Sequence, residues 1–438
     1  MKRSLSSLFV FIVLITGLIS CGGSSSKTTN TSGLTFRAFI SNPVNPSANG
    51  GGFPALDIID ATQDILSSFQ VSLSGAVGSA GMMVESPKRD RTVVFSATGG
   101  FSSDSTLGIV NNASETASSS ITLPGPTDSM FVWIDNNTLF AAIPTDPISG
   151  QSPGAVVQVS LPNSAITATI PVAGARYIVP SPSGNQILVI SDSANSVSVL
   201  APALISTGNA LTAVATNPPT TFFDKPVWAV FSSDGSTAYV MNCGPECGGT
   251  GTTASIAVVD LTQPTPAVTS VVPVLGGATT GLLSAGNLYV AGTPSTATNC
   301  QTNLCGVLSV FPSGNLSSAP ATFAITDGYH NNLVMAPNNQ LFIGSHTCTN
   351  VIAAGSSLGR GCLSVFNTGG GTVYTAAQNG DVTGIQPILN RTVVYVCEGG
   401  VLTIYDTALD LGNQRQVQPQ TTQVTIVGQA IDVKLADF

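Results

Sequence analysis

A short apolar strand pattern returns about every 50 residues along this sequence. The segments alternate β-branched and aromatic residues with small ones, which predicts β-strands. Eight such segments occupy residues 36–41, 92–96, 138–143, 186–191, 237–242, 287–292, 340–345 and 392–397. Their successive starts are 56, 46, 48, 51, 50, 53 and 52 residues apart. This spacing predicts a repeat protein in which one structural unit occurs eight times.

Each repeat contains further predicted strands. A second apolar segment follows each first one, as residues 255–260 follow 237–242, and several repeats add a Thr/Val-rich third segment. Before most first segments lies another strand that ends in a tight turn such as Ser-Asp-Gly at 233–235, where Asp and Gly tolerate left-handed conformations. Four short strands per unit are the signature of a β-propeller blade. The sequence therefore predicts an all-β fold, a single closed β-propeller of eight four-stranded blades, with seven blades as the alternative.

The two ends of the repeat region complement each other. The first repeat begins directly at residues 35–41 and lacks the inner strand that precedes most other repeats. A matching segment, Ala-Ile-Asp-Val-Lys-Leu-Ala, lies at residues 430–436. We expect this C-terminal strand to complete the first blade, which closes the ring and hides a sheet edge. Residues 34–438 then form one domain, although 438 residues would otherwise suggest two or three.

The composition excludes several other classes of protein. Charged residues make up only 8% of the chain, against about 25% in a typical soluble protein. The 13 Lys and Arg residues are not clustered, which argues against nucleic acid as a partner because phosphates attract clustered basic side chains. The 43% hydrophobic content is too high for a disordered chain. The 45 glycines and 27 prolines suit a protein with many chain reversals.

The N-terminus predicts export and attachment to a membrane. Lys2 and Arg3 precede an apolar run at 8–19, which is shorter than the roughly 20 residues that span a bilayer. The Leu-Ile-Ser-Cys sequence at 18–21 resembles the lipobox of bacterial lipoproteins, and the resemblance implies acylation of Cys21. We expect a signal peptide at 1–20, a flexible Gly/Ser/Thr-rich tether at 21–33 and a location in the cell envelope. The resemblance implies that an aspartate directly after the acylated cysteine would retain the protein in the inner membrane. Gly22 lies at that position instead, which favours the outer membrane.

The strand sequences resemble a known group of repeats. Tyr-Val-Met-Asn at 239–242 and Tyr-Val-Ala-Gly at 289–292 are similar to the Tyr-Val-Thr-Asn (YVTN) repeats of bacterial surface propellers. Related propellers include lactone hydrolases of the phosphogluconolactonase type and many surface proteins without known chemistry. The resemblance implies the propeller fold, and lactone or ester hydrolysis as one candidate activity.

Long insertions collect in one class of loop. In a propeller, the loops from the second to the third strand of each blade share a rim with the loops that join successive blades. The insertions here lie in those second-to-third-strand loops, at residues 42–54, 144–154, 242–254, 292–306 and 345–361. Such a concentration commonly marks the binding face of a repeat protein, and neutral surface decoration is the alternative.

Six of the eight cysteines lie in these loops. They form three close pairs, Cys243 with Cys247, Cys300 with Cys305, and Cys348 with Cys362. In an exported protein, an even set at recurring positions predicts disulfides. Metal binding by thiolates is the alternative, although zinc sites usually have tighter Cys-x2-Cys spacing. We expect Cys397 to be a buried strand thiol, with a rearranged pairing to Cys348 or Cys362 as the alternative.

The densest set of ionisable groups is expected near the rim of the seventh repeat. The candidate catalytic residues are His330, His346, Asp327, Asp381 and Glu398, and the two histidines are the only ones in the chain. A histidine beside a carboxylate can act as the general base for attack of water on an ester or lactone. The alternative is that both imidazoles satisfy backbone groups in loops. Trp133 and Trp228 are expected in the core, with sugar stacking as their alternative role.

The remaining sequence has no recognisable catalytic motif. It contains no Gly-x-Ser-x-Gly elbow, His-Glu-x-x-His helix or phosphate-binding loop, and it indicates no cofactor or metal. The leading interpretation is a monomeric, lipid-anchored scaffold that binds an envelope protein, a glycan or a small molecule through its long loops. The alternative is a lactone or ester hydrolase with a His/carboxylate site on the rim of the seventh blade.

Overall fold

The computed structural model describes most of the repeat region. The described residues are 31–46, 52–96, 105–147, 152–216, 222–297, 300, 304–312, 316–349, 351–352, 359–376, 380–408 and 424–437. The predicted signal peptide, Cys21 and most of the predicted tether lie outside these residues. Within this part of the chain, no helix has the length and apolar character needed to cross a bilayer.

The described chain is built almost entirely of β-strands. In chain order they are β1 (Arg37–Pro46), β2 (Gly52–Asp60), β3 (Ile65–Ser72), β4 (Met82–Glu85), β5 (Arg91–Phe95), β6 (Thr106–Asn111), β7 (Thr116–Thr122), β8 (Ser129–Val132), β9 (Thr138–Ile143), β10 (Ala155–Ser160), β11 (Ala165–Pro171), β12 (Tyr177–Pro180), β13 (Ile187–Ser191), β14 (Ser196–Leu200), β15 (Leu211–Ala213), β16 (Pro226–Phe231), β17 (Thr237–Asn242), β18 (Ala254–Asp260), β19 (Ala267–Val274), β20 (Thr280–Ser284), β21 (Asn287–Gly292), β22 (Gly306–Pro312), β23 (Ala321–Ile325), β24 (Tyr329–Ala336), β25 (Gln340–His346), β26 (Val351–Ile352), β27 (Gly359–Arg360), β28 (Leu363–Asn367), β29 (Thr372–Thr375), β30 (Val382–Pro387), β31 (Val393–Glu398), β32 (Val401–Asp406) and β33 (Asp432–Leu435). Short 3-10 helices occupy Pro202–Thr207, Gly244–Cys247 and Pro337–Asn339.

Apart from β26 and β27, the strands form eight antiparallel sheets, which we number as blades 1 to 8 along the chain. Blades 2 to 6 each contain four consecutive strands, from β4–β7 to β20–β23. Blade 7 contains β24, β25, β28 and β29, while β26 and β27 form a hairpin in its long loop. Blade 8 has β30–β32 within the described residues, and Leu402 of β32 bridges to Val424 on its outer side. The predicted eight-bladed propeller is confirmed.

Blade 1 contains strands from both ends of the repeat region. β33 pairs antiparallel with β1, with Phe39 opposite Lys434, and forms the inner strand of the sheet β33-β1-β2-β3. Each inner strand contacts the next around the ring, in the order β33, β4, β8, β12, β16, β20, β24, β30 and back to β33. The predicted closure of the ring by the C-terminal strand is therefore confirmed.

The hydrophobic cores lie between adjacent blades. In β9, Phe140 and Ala142 pack toward blade 4, whereas Leu139 and Ala141 pack toward blade 2. Both faces of the strand are covered, so neither set of alternate positions accepts a charged side chain. This packing explains why so few residues of the chain are charged.

The two tryptophans also belong to these cores. Trp133 packs against Phe140 in an edge-on arrangement, with ring centroids 5.5 Å apart. Trp228 packs in the core between blades 5 and 6, and its indole N–H donates to the backbone oxygen of Gly281 at 3.1 Å. Both positions agree with the expected core role.

An arginine fastens the two ends of the propeller to blade 2. Arg37, at the start of β1, donates from Nε and Nη2 to the two carboxylate oxygens of Asp437, each at 2.7 Å. Its Nη1 donates to Glu115 at 2.7 Å and to the backbone oxygen of Asn112 at 2.8 Å. Arg37 is only 4% exposed, so these charges attract one another with little screening by water. This ring clasp, Arg37 with Asp437 and Glu115, lies at the lower rim, opposite the long loops.

Candidate functional site

The three predicted disulfides are present. Cys243–Cys247, Cys300–Cys305 and Cys348–Cys362 have Cα separations of 5.6, 5.4 and 5.5 Å. They lie in the equivalent second-to-third-strand loops of blades 5, 6 and 7. These loops and the blade-to-blade loops form the upper rim of the propeller. Cys397 is a buried free thiol in β31, as expected.

Removal of the Cys243–Cys247 disulfide is expected to lower the free energy of unfolding by about 2 kcal/mol, because the unfolded loop gains conformational freedom. The variant Cys243→Ala plus Cys247→Ala tests this by urea denaturation beside the wild type. Identical unfolding midpoints and slopes for the two proteins would contradict the expectation.

Two of the predicted catalytic carboxylates hold the long loop of blade 7. Asp327 accepts hydrogen bonds from the backbone nitrogen and the hydroxyl of Thr349, at 3.0 and 2.7 Å. Asp381 accepts one from the backbone nitrogen of Thr347 at 2.7 Å. Both carboxylates therefore fix the position of this loop through its hydrogen-bond donors.

His330 lies buried between blades 6 and 7. Its side chain has no exposed surface, and Nε2 donates to the backbone oxygen of Thr326 at 2.9 Å. Burial lowers the pKa of His330 to about 4, so the imidazole is neutral at neutral pH. The structure pairs this histidine with a backbone carbonyl and places it away from solvent.

His346 lies at the upper rim and is half-buried. Its ring centroid is 5.1 Å from that of Tyr329, and Nδ1 shares a hydrogen bond with the hydroxyl of Thr347 at 2.9 Å. Burial lowers the pKa of His346, and the charge of Asp381 partly opposes this effect. His346 and Asp381 are therefore the predicted histidine and carboxylate that share an accessible part of the rim.

Glu398 lies in the interior of blade 8. It is 1% exposed, and it accepts a hydrogen bond from the hydroxyl of Tyr405 at 2.6 Å. Burial raises the pKa of Glu398 to about 7. The structure thus separates this residue from the accessible rim where His346 lies.

Two tyrosines that the sequence analysis did not select meet across the central channel. Tyr177 begins β12 of blade 4, Tyr329 begins β24 of blade 7, and their hydroxyl groups lie close enough for each to shift the pKa of the other. Blades 5 and 6 lie between these strands, so the pair spans the upper opening of the channel. Burial raises the pKa of both hydroxyls, which remain protonated at neutral pH.

An ion-paired arginine supports one side of this opening. Arg176 donates to Asp128 at 3.0 Å and to Asp192 at 3.1 Å. Its guanidinium carbon lies 5.4 Å from the ring centroid of Tyr177, within the range of a cation–π contact. We call the set Arg176, Tyr177, Tyr329 and His346 the upper mouth. Within the described residues, no group of three or more His, Cys, Asp or Glu side chains is placed to hold a metal ion.

A pocket of about 240 Å³ opens beside the upper mouth, between blades 5 and 6. Glu246 lines it and accepts a hydrogen bond from the backbone nitrogen of Thr293 at 3.0 Å. The hydroxyl of Thr293 donates to the backbone oxygen of Gly328, the residue before Tyr329, which links the pocket to the mouth. Burial raises the pKa of Glu246 to about 8. The feature of the sequence that could have pointed to Glu246 is its position between the closely spaced Cys243 and Cys247.

The comparisons with known proteins bear on the fold. No protein-family model matches the sequence, and no curated protein matches it. The dihydro-heme d1 dehydrogenase NirN, solved in complex with DHE, is similar in structure with a TM-score of 0.61 at 11% identity, over 92% of this chain and 75% of that chain. A putative 6-phosphogluconolactonase from Bacteroides uniformis has a TM-score of 0.50 at 14% identity, over 79% and 98% of the two chains. A functionally unknown protein from Desulfotomaculum acetoxidans has a TM-score of 0.50 at 16% identity, over 83% and 99%. These likenesses show that the chain shares the β-propeller fold of these proteins.

Proposed function

We propose that this protein is a binding protein of the cell envelope that captures a neutral carbohydrate at its upper mouth. The observation that carries the proposal is that the hydroxyl groups of Tyr177 and Tyr329 lie close together at the channel opening, near enough to shift each other's pKa. A phenol hydroxyl both donates and accepts, as does each hydroxyl of a sugar. A sugar that enters between the two tyrosines can form one hydrogen bond with each phenol.

The surroundings of the tyrosines support the same class of ligand. The rings of Tyr329 and His346 lie together at the rim, where aromatic faces can pack on the apolar face of a sugar. Arg176 already has two aspartate partners, whose charges exceed its own, so it does not select an anion. Aromatic surface combined with a few convergent polar groups is a common lining of a small-molecule site.

The location in the envelope rests on the N-terminal sequence. The lipobox-like residues 18–21 and the Gly/Ser/Thr-rich stretch at 21–33 support a propeller that is attached to a membrane by a flexible tether. The long upper-rim loops then surround the site that takes up the ligand.

Binding is tested by isothermal titration of the purified mature protein with a panel of neutral mono- and oligosaccharides. Replacement of Tyr177 or Tyr329 by phenylalanine is expected to weaken binding of the best sugar by about fivefold each, because each variant lacks one hydrogen bond. Tyr374→Phe, on the outer strand β29, is the control and should bind normally. Binding that is unchanged in the Tyr177→Phe plus Tyr329→Phe variant, or no binding across the panel, would contradict the proposal.

A lactone or ester hydrolase is the second candidate function. It is favoured by His346, which lies half-buried at the mouth near Asp381. The charge of Asp381 raises the pKa of His346 and so partly offsets the effect of burial. Among the described residues, Nδ1 of His346 shares its hydrogen bond with the hydroxyl of Thr347. Nε2 is therefore the ring nitrogen that would act as the general base. Turnover of a lactone by the wild type that disappears in His346→Ala would replace the binding proposal with this one.

A further inference from the structure

The pocket between blades 5 and 6 is lined by Glu246, and one of its carboxyl oxygens receives no hydrogen bond from the described residues. One carboxylate oxygen of Glu246 accepts from Thr293, whereas Oε2 is buried and has no hydrogen-bond partner within the described residues. The residues that line the pocket include no lysine, arginine or histidine. An unsatisfied buried carboxyl oxygen is costly, which makes this oxygen the point of the pocket where a ligand gains most.

Several buried or partly buried carboxylates of the described chain have basic partners, whereas others, such as Glu398 and Asp327, accept hydrogen bonds from neutral donors. The ion pairs are Arg37 with Glu115, Arg391 with Asp64, Arg176 with Asp128 and Asp192, and Lys434 with Asp432. Glu246 has no basic partner among the described residues, and unlike Glu398 it lines the pocket, where a cation can reach it. What it lacks is a cationic donor.

The rest of the pocket suits a short cation with an apolar part. Hydroxyl groups come from Thr252, Thr253, Ser295 and Thr296, and apolar surface comes from Pro245, Val274, Leu275 and Pro294. An ammonium group has three donors and no acceptor, so it can satisfy a carboxylate and neighbouring hydroxyl oxygens together. A divalent metal prefers several oxygen ligands with more than one carboxylate, which this pocket does not offer. The chain also has a formal charge of −9, which attracts cations.

We propose that this pocket binds the ammonium group of a small alkylamine, with Glu246 as its counter-ion. The site is separate from carbohydrate capture at the upper mouth and does not depend on it. Because burial raises the pKa of Glu246 to about 8, the carboxyl is mostly protonated at pH 7. Binding of an ammonium ion therefore ionises Glu246, and the carboxyl proton passes to the buffer.

The test is isothermal titration of the mature protein with n-butylammonium chloride at pH 7, in two buffers that differ in ionisation enthalpy. The wild type is expected to bind and to release close to one proton for each amine. Glu246→Gln keeps the oxygen that accepts from Thr293 but removes the charge, so it should weaken binding at least ~10-fold and abolish the proton release. Asp234→Asn is the control, because it removes one exposed charge from the lower rim and should bind normally.

A second measurement on the wild type does not depend on the folding of any variant. The chain has only four glutamates, so 13C-labelled glutamate gives few carboxyl resonances to follow by NMR. One of them should shift to its ionised position when butylammonium is added at pH 7. No binding by the wild type at millimolar concentration, equal binding by Glu246→Gln, no carboxyl shift, or equally strong competition by n-butanol would each overturn the proposal.

Discussion

Replacement of Arg37 by alanine is expected to lower the free energy of unfolding by about 3–5 kcal/mol. The substitution opens the ring clasp and leaves Glu115, which is 5% exposed, as a buried charge without its cation. It also removes both hydrogen bonds from the guanidinium to Asp437, which follows the closing strand β33. Urea or guanidinium denaturation of the two proteins measures the difference.

Lys88→Ala is the matched control for Arg37. Lys88 is exposed on the same rim, and its replacement removes the same charge without opening the clasp. Its effect should stay within about 0.5 kcal/mol, as is usual for surface substitutions. If Arg37→Ala and Lys88→Ala had similar stabilities, the clasp would have no part in closing the ring.

The protein is expected to lose stability as the pH rises from about 4.5 to about 7. Burial raises the pKa of Glu398 from 4.5 to about 7. Within this window the unfolded chain has released the proton whereas the folded chain retains it, so a higher pH favours unfolding. The slope is about 1.4 kcal/mol per pH unit, which gives about 3 kcal/mol for Glu398 across the window. Glu85, whose pKa burial raises to about 7, and Glu246, whose pKa burial raises to about 8, add changes of the same sign. Together the three glutamates outweigh the opposite change from His330, whose pKa burial lowers from 6.5 to about 4.

Glu398→Gln isolates the contribution of this group. The amide oxygen of glutamine can still accept from the hydroxyl of Tyr405, and the side chain has no proton to lose. The variant should therefore be as stable as the wild type at pH 4 and more stable at pH 8, by up to about 3 kcal/mol. Asp234→Asn, at an exposed site, should keep the wild-type slope between pH 5 and pH 7. A wild-type stability that rises across this interval would contradict the account.

The strands and the closing segment could be predicted because their signals are local. The first segments predicted at 138–143, 237–242 and 287–292 are the second strands of their blades, and β9, β17 and β21 have those bounds. Short apolar runs between tight turns mark strands that are buried on both faces. The pairing of β33 with β1 followed from comparing the first repeat with the others. The disulfides followed from equivalent positions in neighbouring repeats.

The upper mouth could not be predicted because it depends on the curvature of the ring. Tyr177 and Tyr329 begin inner strands of blades 4 and 7, and no local pattern in the sequence relates them. Asp327 and Asp381 show the converse difficulty. The sequence shows carboxylates near histidines, but only the structure shows that both accept hydrogen bonds from loop donors.

The repeated architecture explains how a charge-poor chain can still build a polar site. The second strands of the blades, such as β9, β17 and β21, are covered on both faces, so ionisable groups lie mainly at the rims and the ends of strands. At the upper rim, disulfides and carboxylates hold loops in place, and the inner strands bring Tyr177 and Tyr329 to the channel opening. A rigid ring thus positions residues that are distant in sequence.

The most direct test of carbohydrate capture at the upper mouth is a crystal structure of the protein with the sugar that binds most tightly in the titration panel. The account predicts the sugar at the upper opening of the channel, with one hydroxyl bonded to Tyr177 and another to Tyr329. A sugar bound at the lower rim or at the outer edge of the blades, without contact to Tyr177 or Tyr329, would contradict it.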